Sequence, residues 1–187
     1  KNYYNILGYN FRMGEIEAAI GIEQLKKLQN ILKKIQNDAK ILNSNLKSLQ
    51  GLIVPEINNK LISHSYYTYG LKLDLKKINV PRKKIVKFLK KEGVPCIEGY
   101  LNLHLLPIFS KKVAYGVQGF PWNINNKKKY IYKKGDLKVA EDLHFKSYIA
   151  IGLTHYNFSK KDLKFIINGF KKTWKNLGLR IIDDNRK

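Results

Sequence analysis

Between residues 14 and 50 small and apolar side chains recur in alternating steps of three and four: Ala18, Gly21, Leu25, Leu28, Leu32, Ile35, Ala39, Leu42, Leu46 and Leu49. That spacing holds one stripe on one side of a helix through many turns, so the segment is predicted to be a single long helix. Gly51 stands where a C-terminal glycine stops a helix. A stripe this long serves either as a coiled-coil seam or as a spine along which two domains or two subunits pack. Ala18, Ala19 and Gly21 at its start are small enough to let another backbone come close.

After the helix the period changes. Residues 52–55 read as a short extended segment. Residues 64–74, rich in tyrosine and threonine and partly alternating, read as a strand. Pro81 opens a helix with Ile85, Phe88 and Leu89 on its apolar face, and Gly93 ends it. Residues 95–100 read as a second strand. Residues 101–135 look irregular, broken by Pro107, Gly116, Gly119 and Pro121. Asp136 is placed to cap a short helix over 137–144, and residues 148–152 read as a third strand. Ser159 and Asp162 make a capping-box start, with Asp in place of the usual Glu or Gln. The helix they open carries Leu163, Ile166, Ile167, Phe170 and Trp174 on one side. Beyond about residue 178 the chain is polar and expected to fray. The predicted class is α+β, a small sheet with helices on one side. Residues 1–50 form a turn and an interdomain helix, 51–178 a small domain, and 179–187 a tail.

The chain of 187 residues carries a net charge of +22 and a pI near 9.9. Only Arg12, Arg82, Arg180 and Arg186 are arginines, so lysine supplies nearly all of the charge. Readers of nucleic acid lean on arginine for base edges and phosphates. The surplus is therefore read as a solvated surface, with no specific nucleic-acid partner. The interleaved basic and aromatic residues 127–134 keep a nucleic-acid-binding module as an alternative. The long stripe keeps a coiled-coil interaction protein as another. The single cysteine, Cys96, rules out an internal disulfide and fits a reducing, cytoplasmic setting. No apolar run approaches a membrane span, and no secretory signal is visible. The chain opens on Lys1 without an initiator Met and reads as a fragment whose missing part lies upstream.

No self-sufficient active site is visible. There is no HExxH, CxxC, Walker loop, GxGxxG or GxSxG. His64, His104, His144 and His155 lack metal-ligand spacing, so no metal is expected, and each histidine taken alone reads as structural. Cys96 reads as a small buried apolar side chain. The opening turn is different. Tyr9, Asn10 and Arg12 put a phenol, an amide and a guanidinium within four positions, just before the long helix. In a lysine-rich chain a forked, permanently charged group suits carboxylate or phosphate. The same residues could merely cap and orient the helix, and spacing leaves both readings open.

The stretch GYNFRMGEIEAAIGIEQLKKL resembles a signature of the DegT/DnrJ/EryC1/StrS sugar aminotransferases. The likeness continues in order through HSYYTYGLKLD, VPRKKIVKFLKKEGVPCIEGY, YLNLHLLPIF, LKVAEDL and DLKFIINGFKKTW, over roughly residues 5 to 176. The resemblance implies a pyridoxal-5'-phosphate enzyme of the aspartate aminotransferase fold, a homodimer with shared active sites. It assigns Asn10 to the cofactor phosphate of the neighbouring subunit. It places Tyr9 in the same pocket, gives Arg12 to that turn or to an anionic part of the substrate, and sets Tyr100 and His104 near the substrate entrance. The Schiff-base lysine of the family lies upstream of the GYN motif, so no catalytic residue is expected here and the chain alone is expected to be inactive. The implied reaction moves an amino group from glutamate or glutamine to a keto-sugar, nucleotide-linked, or to a keto-cyclitol. Such steps serve polysaccharide, surface-glycan or secondary-metabolite synthesis.

Overall fold

The computed structural model describes residues 11–56, 61–112, 115, 119–124 and 131–182. Helix α1 (Glu15–Leu46) begins after Gly14 and carries Glu15 and Glu17 in its first turn, where the positive end of the helix dipole favours them. It stops at Leu46 rather than at Gly51. The reason is tertiary: Leu49 leaves the helix to pair with Ile181. The Gln50 N–H donates to the Arg180 carbonyl at 3.0 Å, and the Ile182 N–H to the Ser48 carbonyl at 2.7 Å. Residues 180–182 are thus laid along the end of α1 rather than frayed. Gly51, at φ 69°, makes the reversal into β1 (Leu52–Ile53).

The sheet adds β2 (Tyr69–Leu73), β3 (Cys96–Glu98) and β4 (Tyr148–Ile151), all antiparallel, in the order β1-β2-β4-β3. The first predicted strand is shorter than expected. Tyr66 has φ 47°, and its N–H donates to His64 Nδ1 at 2.7 Å, so residues 64–68 turn before pairing begins. Helices α2 (Arg82–Lys91) and α5 (Lys160–Asn176) cover the sheet with α1. The short α3 (Pro107–Ser110) and α4 (Lys138–Asp142) lie in the stretch predicted to be irregular and just after it. A π-helical turn over 143–147 leads into β4.

Alternation along β2 sends Tyr69, Leu71 and Leu73 to the helix side, opposite Ile151, Ile149 and Leu52. They meet Ala39, Leu42 and Leu46 of α1, Ile85 and Leu89 of α2, and Ile166, Phe170 and Trp174 of α5 in one core. Two polar side chains at the core margin are paired. Trp174 Nε1–H donates to the Gln50 carbonyl at 2.9 Å, and the Tyr69 hydroxyl to Asn43 Oδ1 at 2.6 Å. Burial pushes the pKa of that phenol up, which keeps it protonated and a donor. The capping box of α5 forms as predicted: Ser159 Oγ accepts from the Asp162 N–H at 3.2 Å, and Asp162 Oδ2 from the Ser159 N–H at 2.8 Å. These bonds to Ser159 hold the Asp162 carboxyl below its ordinary range.

Only the second part of α1 joins this core. Ile35, Ala39, Leu42 and Leu46 are buried, whereas Ile16, Ile20, Leu25, Leu28 and Ile31 are exposed. Among the described residues no helix is long and apolar enough to cross a membrane.

Candidate functional site

The opening turn sits at the amino-terminal end of the exposed stretch of α1. Tyr9 and Asn10 lie outside the described residues. Arg12 is exposed, between Phe11 and Met13, which are 87% and 75% exposed. The helix starts on Gly14 with no side-chain hydrogen bond at its cap.

The second group of predicted residues follows β3, an edge strand. Gly99, at φ 70°, turns the chain there, its N–H donating to the Tyr148 carbonyl at 3.0 Å. A Cβ at position 99 would stand 2.5 Å from the His144 carbonyl oxygen, so only glycine passes. The turn sends Tyr100 and His104 to different places. Tyr100 is 57% exposed, while His104 is buried. His104 Nε2 lies 2.8 Å from Glu141 Oε1. The same carboxylate accepts the Gly135 N–H at 2.8 and 2.9 Å and the Leu137 N–H at 3.4 Å. Burial pushes the Glu141 carboxyl up, but the hydrogen bonds from His104, Gly135 and Leu137 outweigh it and leave the carboxyl below its ordinary range. An ionised carboxylate only accepts, so Nε2 of His104 carries the proton. Two residues away, Asn102 is buried, and neither its amide oxygen nor its nitrogen has a partner among the described residues.

Glu141 thus ties Gly135 and Leu137, just ahead of α4, back to the helix, which is not the capping role expected of Asp136. The Asp136 carboxylate instead accepts the Lys133 N–H at 2.8 Å, inside the preceding turn, and α4 begins on Leu137 without a side-chain cap bond. Arg82, at the start of α2, is the other residue that sequence reasoning passed over. Its Nη1 donates to the His144 carbonyl at 2.6 Å and to those of Leu143 and Tyr148 at 3.3 Å. Its Nε stands 3.7 Å from Glu98 Oε2. One guanidinium thereby ties the end of β3 to the start of β4, on either side of the Tyr100–His104 segment. Its being one of few arginines was the available signal.

The remaining candidates are structural. His64 accepts from the Tyr66 backbone and stacks on that ring. His155 meets Tyr67 edge-on. Burial pushes the Cys96 thiol up to about 11, so it stays protonated at neutral pH and is no nucleophile. Of the basic and aromatic run, residues 127–130 lie outside the described residues, and 131–134 are exposed.

The architecture, a long helix running into a small antiparallel sheet with its covering helices, recurs within solved aminotransferase structures. It superposes on the aminotransferase of Psychrobacter cryohalolentis with a TM-score of 0.68 at 19% identity, over 93% of this chain and 42% of that one. The profile of the DegT/DnrJ/EryC1/StrS aminotransferase family matches residues 1–144, and the chain belongs to that family. It is 36% identical to protein MJ1066 of Methanocaldococcus jannaschii over 64% of this chain and 31% of that protein. It is 29% identical to the spore coat polysaccharide biosynthesis protein SpsC of Bacillus subtilis, over 66% and 32%. Identity is also 29% to the GDP-perosamine synthase of Vibrio cholerae, over 60% and 31%. The chain spans about a third of the length of these curated relatives.

The cofactor of the family is pyridoxal 5'-phosphate. The described residues do not by themselves enclose it: at the opening turn they supply one exposed guanidinium and two exposed apolar side chains.

Proposed function

We propose that this chain is the carboxy-terminal part of a sugar aminotransferase that uses pyridoxal 5'-phosphate. In this reading residues 1–50 are an arm that reaches a shared active site, and residues 51–178 are the small domain that shapes the substrate cleft. Asn10 meets the cofactor phosphate across a homodimer, with Tyr9 and Arg12 beside it. Tyr100 faces the substrate entrance, and the wall behind it is fixed by the hydrogen bonds of His104 and Glu141. The exposed stretch of α1 packs against the remainder of the enzyme and the partner subunit. The Schiff-base lysine belongs to a segment that none of the matched stretches contains, so these 187 residues alone do not turn over.

The observation that carries the reading is the family match, which runs from the opening turn through the Tyr100–His104 segment to α4. The substrate class takes its support from the relatives, one named for spore-coat polysaccharide synthesis and one for GDP-perosamine synthesis. The complete enzyme then moves an amino group from glutamate or glutamine to a nucleotide-linked keto-sugar in the cytoplasm. Holding donor, cofactor and sugar in one cleft is the protein's contribution to rate.

The test is a chimaera. The chain is joined to the amino-terminal two-thirds of the Bacillus subtilis relative, and amino transfer from glutamate to a nucleotide-linked keto-sugar is followed. The chimaera is expected to turn over and the 187-residue chain to be inert. Asn10→Ala and Arg12→Ala are each expected to lower kcat/KM by at least about tenfold, the loss of one charge-assisted contact. A folded, cofactor-loaded chimaera whose activity ignores both substitutions would overturn the reading.

A further inference from the structure

The helical layer over the sheet turns a strongly basic face to solvent. Helix α5 lies between α1 and α2, in contact with both. Helix α2 carries five lysines in 10 residues and no carboxylate. Helix α5 carries six lysines in 17 residues and one carboxylate, Asp162, which is taken up by the cap. The helical period decides where they point. Ile85, Val86 and Leu89 of α2, with Leu163, Ile166, Phe170 and Trp174 of α5, take the inward side. The lysines are left on the outward one, where Lys84, Lys87, Lys91, Lys161, Lys164 and Lys172 are exposed.

Few acids answer this charge. Of the lysines on α2 and α5 only Lys172 forms an ion pair among the described residues, 3.6 Å from Glu92 in the turn after α2. Elsewhere the signs are mixed. The start of α1 sets Glu15, Glu17 and Glu23 against Lys26 and Lys27. On the other side of the sheet, Lys72, Lys134, Lys138 and Lys146 line a cavity bounded by α4 and the π-helical turn, together with Glu141 and Asp142. An even coat of lysine would not gather unanswered charge in one layer. Ammonium groups held in one layer repel one another, and a surface of opposite charge laid against them offsets all of those repulsions at once. One apolar side chain stands among them. Phe165, one turn on from Lys161, is 55% exposed and lies against the turn at Gly93, where a Cβ would come 3.0 Å from its ring.

We infer that the outward face of α2 and α5 docks onto an anionic phospholipid surface, with the lysines at the headgroup phosphates and Phe165 reaching the edge of the acyl chains. Lysine is a point charge on a flexible stem and suits mobile headgroups, whereas the arginine fork suits fixed phosphates and bases. The one arginine of these two helices, Arg82, has Nη1 committed to the carbonyls of Leu143, His144 and Tyr148. Single-stranded nucleic acid is held on successive stacking rings, and Phe165 is the one exposed ring on α2 and α5. These features favour a membrane surface over nucleic acid. The contact is peripheral, because no described helix is long and apolar enough to cross a membrane. It does not rest on the aminotransferase reading.

The test is flotation of the 187-residue chain with lipid vesicles in about 150 mM salt, where long-range attraction is screened. Vesicles of equal parts phosphatidylglycerol and phosphatidylcholine are expected to carry it, and vesicles of phosphatidylcholine alone to leave it behind. Replacing Lys87, Lys91, Lys161 and Lys164 together by Gln is expected to weaken binding at least about thirtyfold, since each lysine near an anionic surface contributes several-fold. A control quadruple, Lys72, Lys134, Lys138 and Lys146 to Gln, removes the same charge from the other side of the sheet. It is expected to weaken binding less than about threefold, because a plane meets one side of the molecule and charge beyond the screening length counts little. Phe165→Ser is expected to weaken binding without changing its dependence on salt, because it removes insertion rather than charge. Equal binding to the two kinds of vesicle, or equal losses in the two quadruples with unchanged melting temperatures, would sink the inference. So would a single-stranded oligonucleotide that displaces the vesicles and binds the chain more tightly than they do at the same salt. If the first quadruple does not fold, the contrast between the two kinds of vesicle and the Phe165→Ser result still decide. The readout needs neither cofactor nor turnover, so an inert chimaera leaves the inference standing, and a failed flotation leaves the aminotransferase reading in place.

Discussion

Helix α1 carries one apolar stripe through two environments. From Ile35 to Leu46 the stripe is sealed: Ala39, Leu42 and Leu46 have no exposed surface. At Leu25 and Leu28 the same stripe stands in the open, at 67% and 41% exposure. The period is the same in both stretches, and so is the helix. Periodicity therefore says which side of a helix is apolar, but not what covers it. Cover comes from the sheet and α5 in one stretch. In the other, no covering element is present among the described residues.

The sharpest way to break this comparison is Leu42→Ala. The side chain is sealed against β2 and α5, so its removal leaves a cavity and should cost about 2–5 kcal/mol. Urea unfolding of the 187-residue chain reads it. A loss below about 1 kcal/mol would mean that the core relaxes around the site and that the two stretches differ less than their exposures imply.

Next in size is Glu141, whose network does for the Tyr100–His104 segment what the core does for α1. Its carboxyl is held below the ordinary range in the folded chain. A group so depressed adds stability that is fully present above its unfolded range and fades as pH falls through its folded value. Glu141→Gln places an N–H where donors converge, so the variant should melt below the wild type at neutral pH. The gap should close as pH drops into the acid range. Melting curves from pH 7 downward check it, and a gap independent of pH would show that packing, rather than charge, holds the segment.

Ser159→Ala is smaller. Loss of the N-cap should destabilise α5 by about 1 kcal/mol, measured as a shift in urea midpoint at unchanged slope.

Legibility in the sequence followed the range of each interaction. The capping box at Ser159 and Asp162, the apolar face of α5 and the stop at Gly93 are local patterns, and each appears where the residues put it. Asp136 shows where locality fails. An aspartate before a short helix fits a cap, but its Oδ2 accepts the Lys133 N–H in the preceding turn, and α4 starts without a side-chain cap bond. Residues 64–68 read as strand because tyrosine and threonine favour strands, yet Tyr66 adopts a left-handed turn. The burial of His104 depends on a carboxylate 37 residues away, and no local rule points there. The cavity bounded by α4 and the π-helical turn is more distant still, since Lys72 joins its lining only when β2 pairs with β4. The cofactor-side reading of Asn10 and Arg12 came from family resemblance alone. Tyr9 and Asn10 lie outside the described residues, and Arg12 stands exposed just ahead of α1.

The smallest expected effect is the most informative about the first stretch of α1. Leu25→Ser removes an apolar side chain that water already reaches, so the isolated chain should change by no more than about 0.5 kcal/mol. The contrast with Leu42 then holds, and the exposure is a property of the chain in solution. The measurement is repeated at several protein concentrations, because a surface covered by a second copy is stabilised by mass action. If Leu25→Ser costs more as concentration rises, the stretch is buried between copies of this chain, and the two environments of α1 become two parts of one interior. If the cost stays small throughout, the stretch remains open to water in the 187-residue chain, and the two environments of α1 stay distinct.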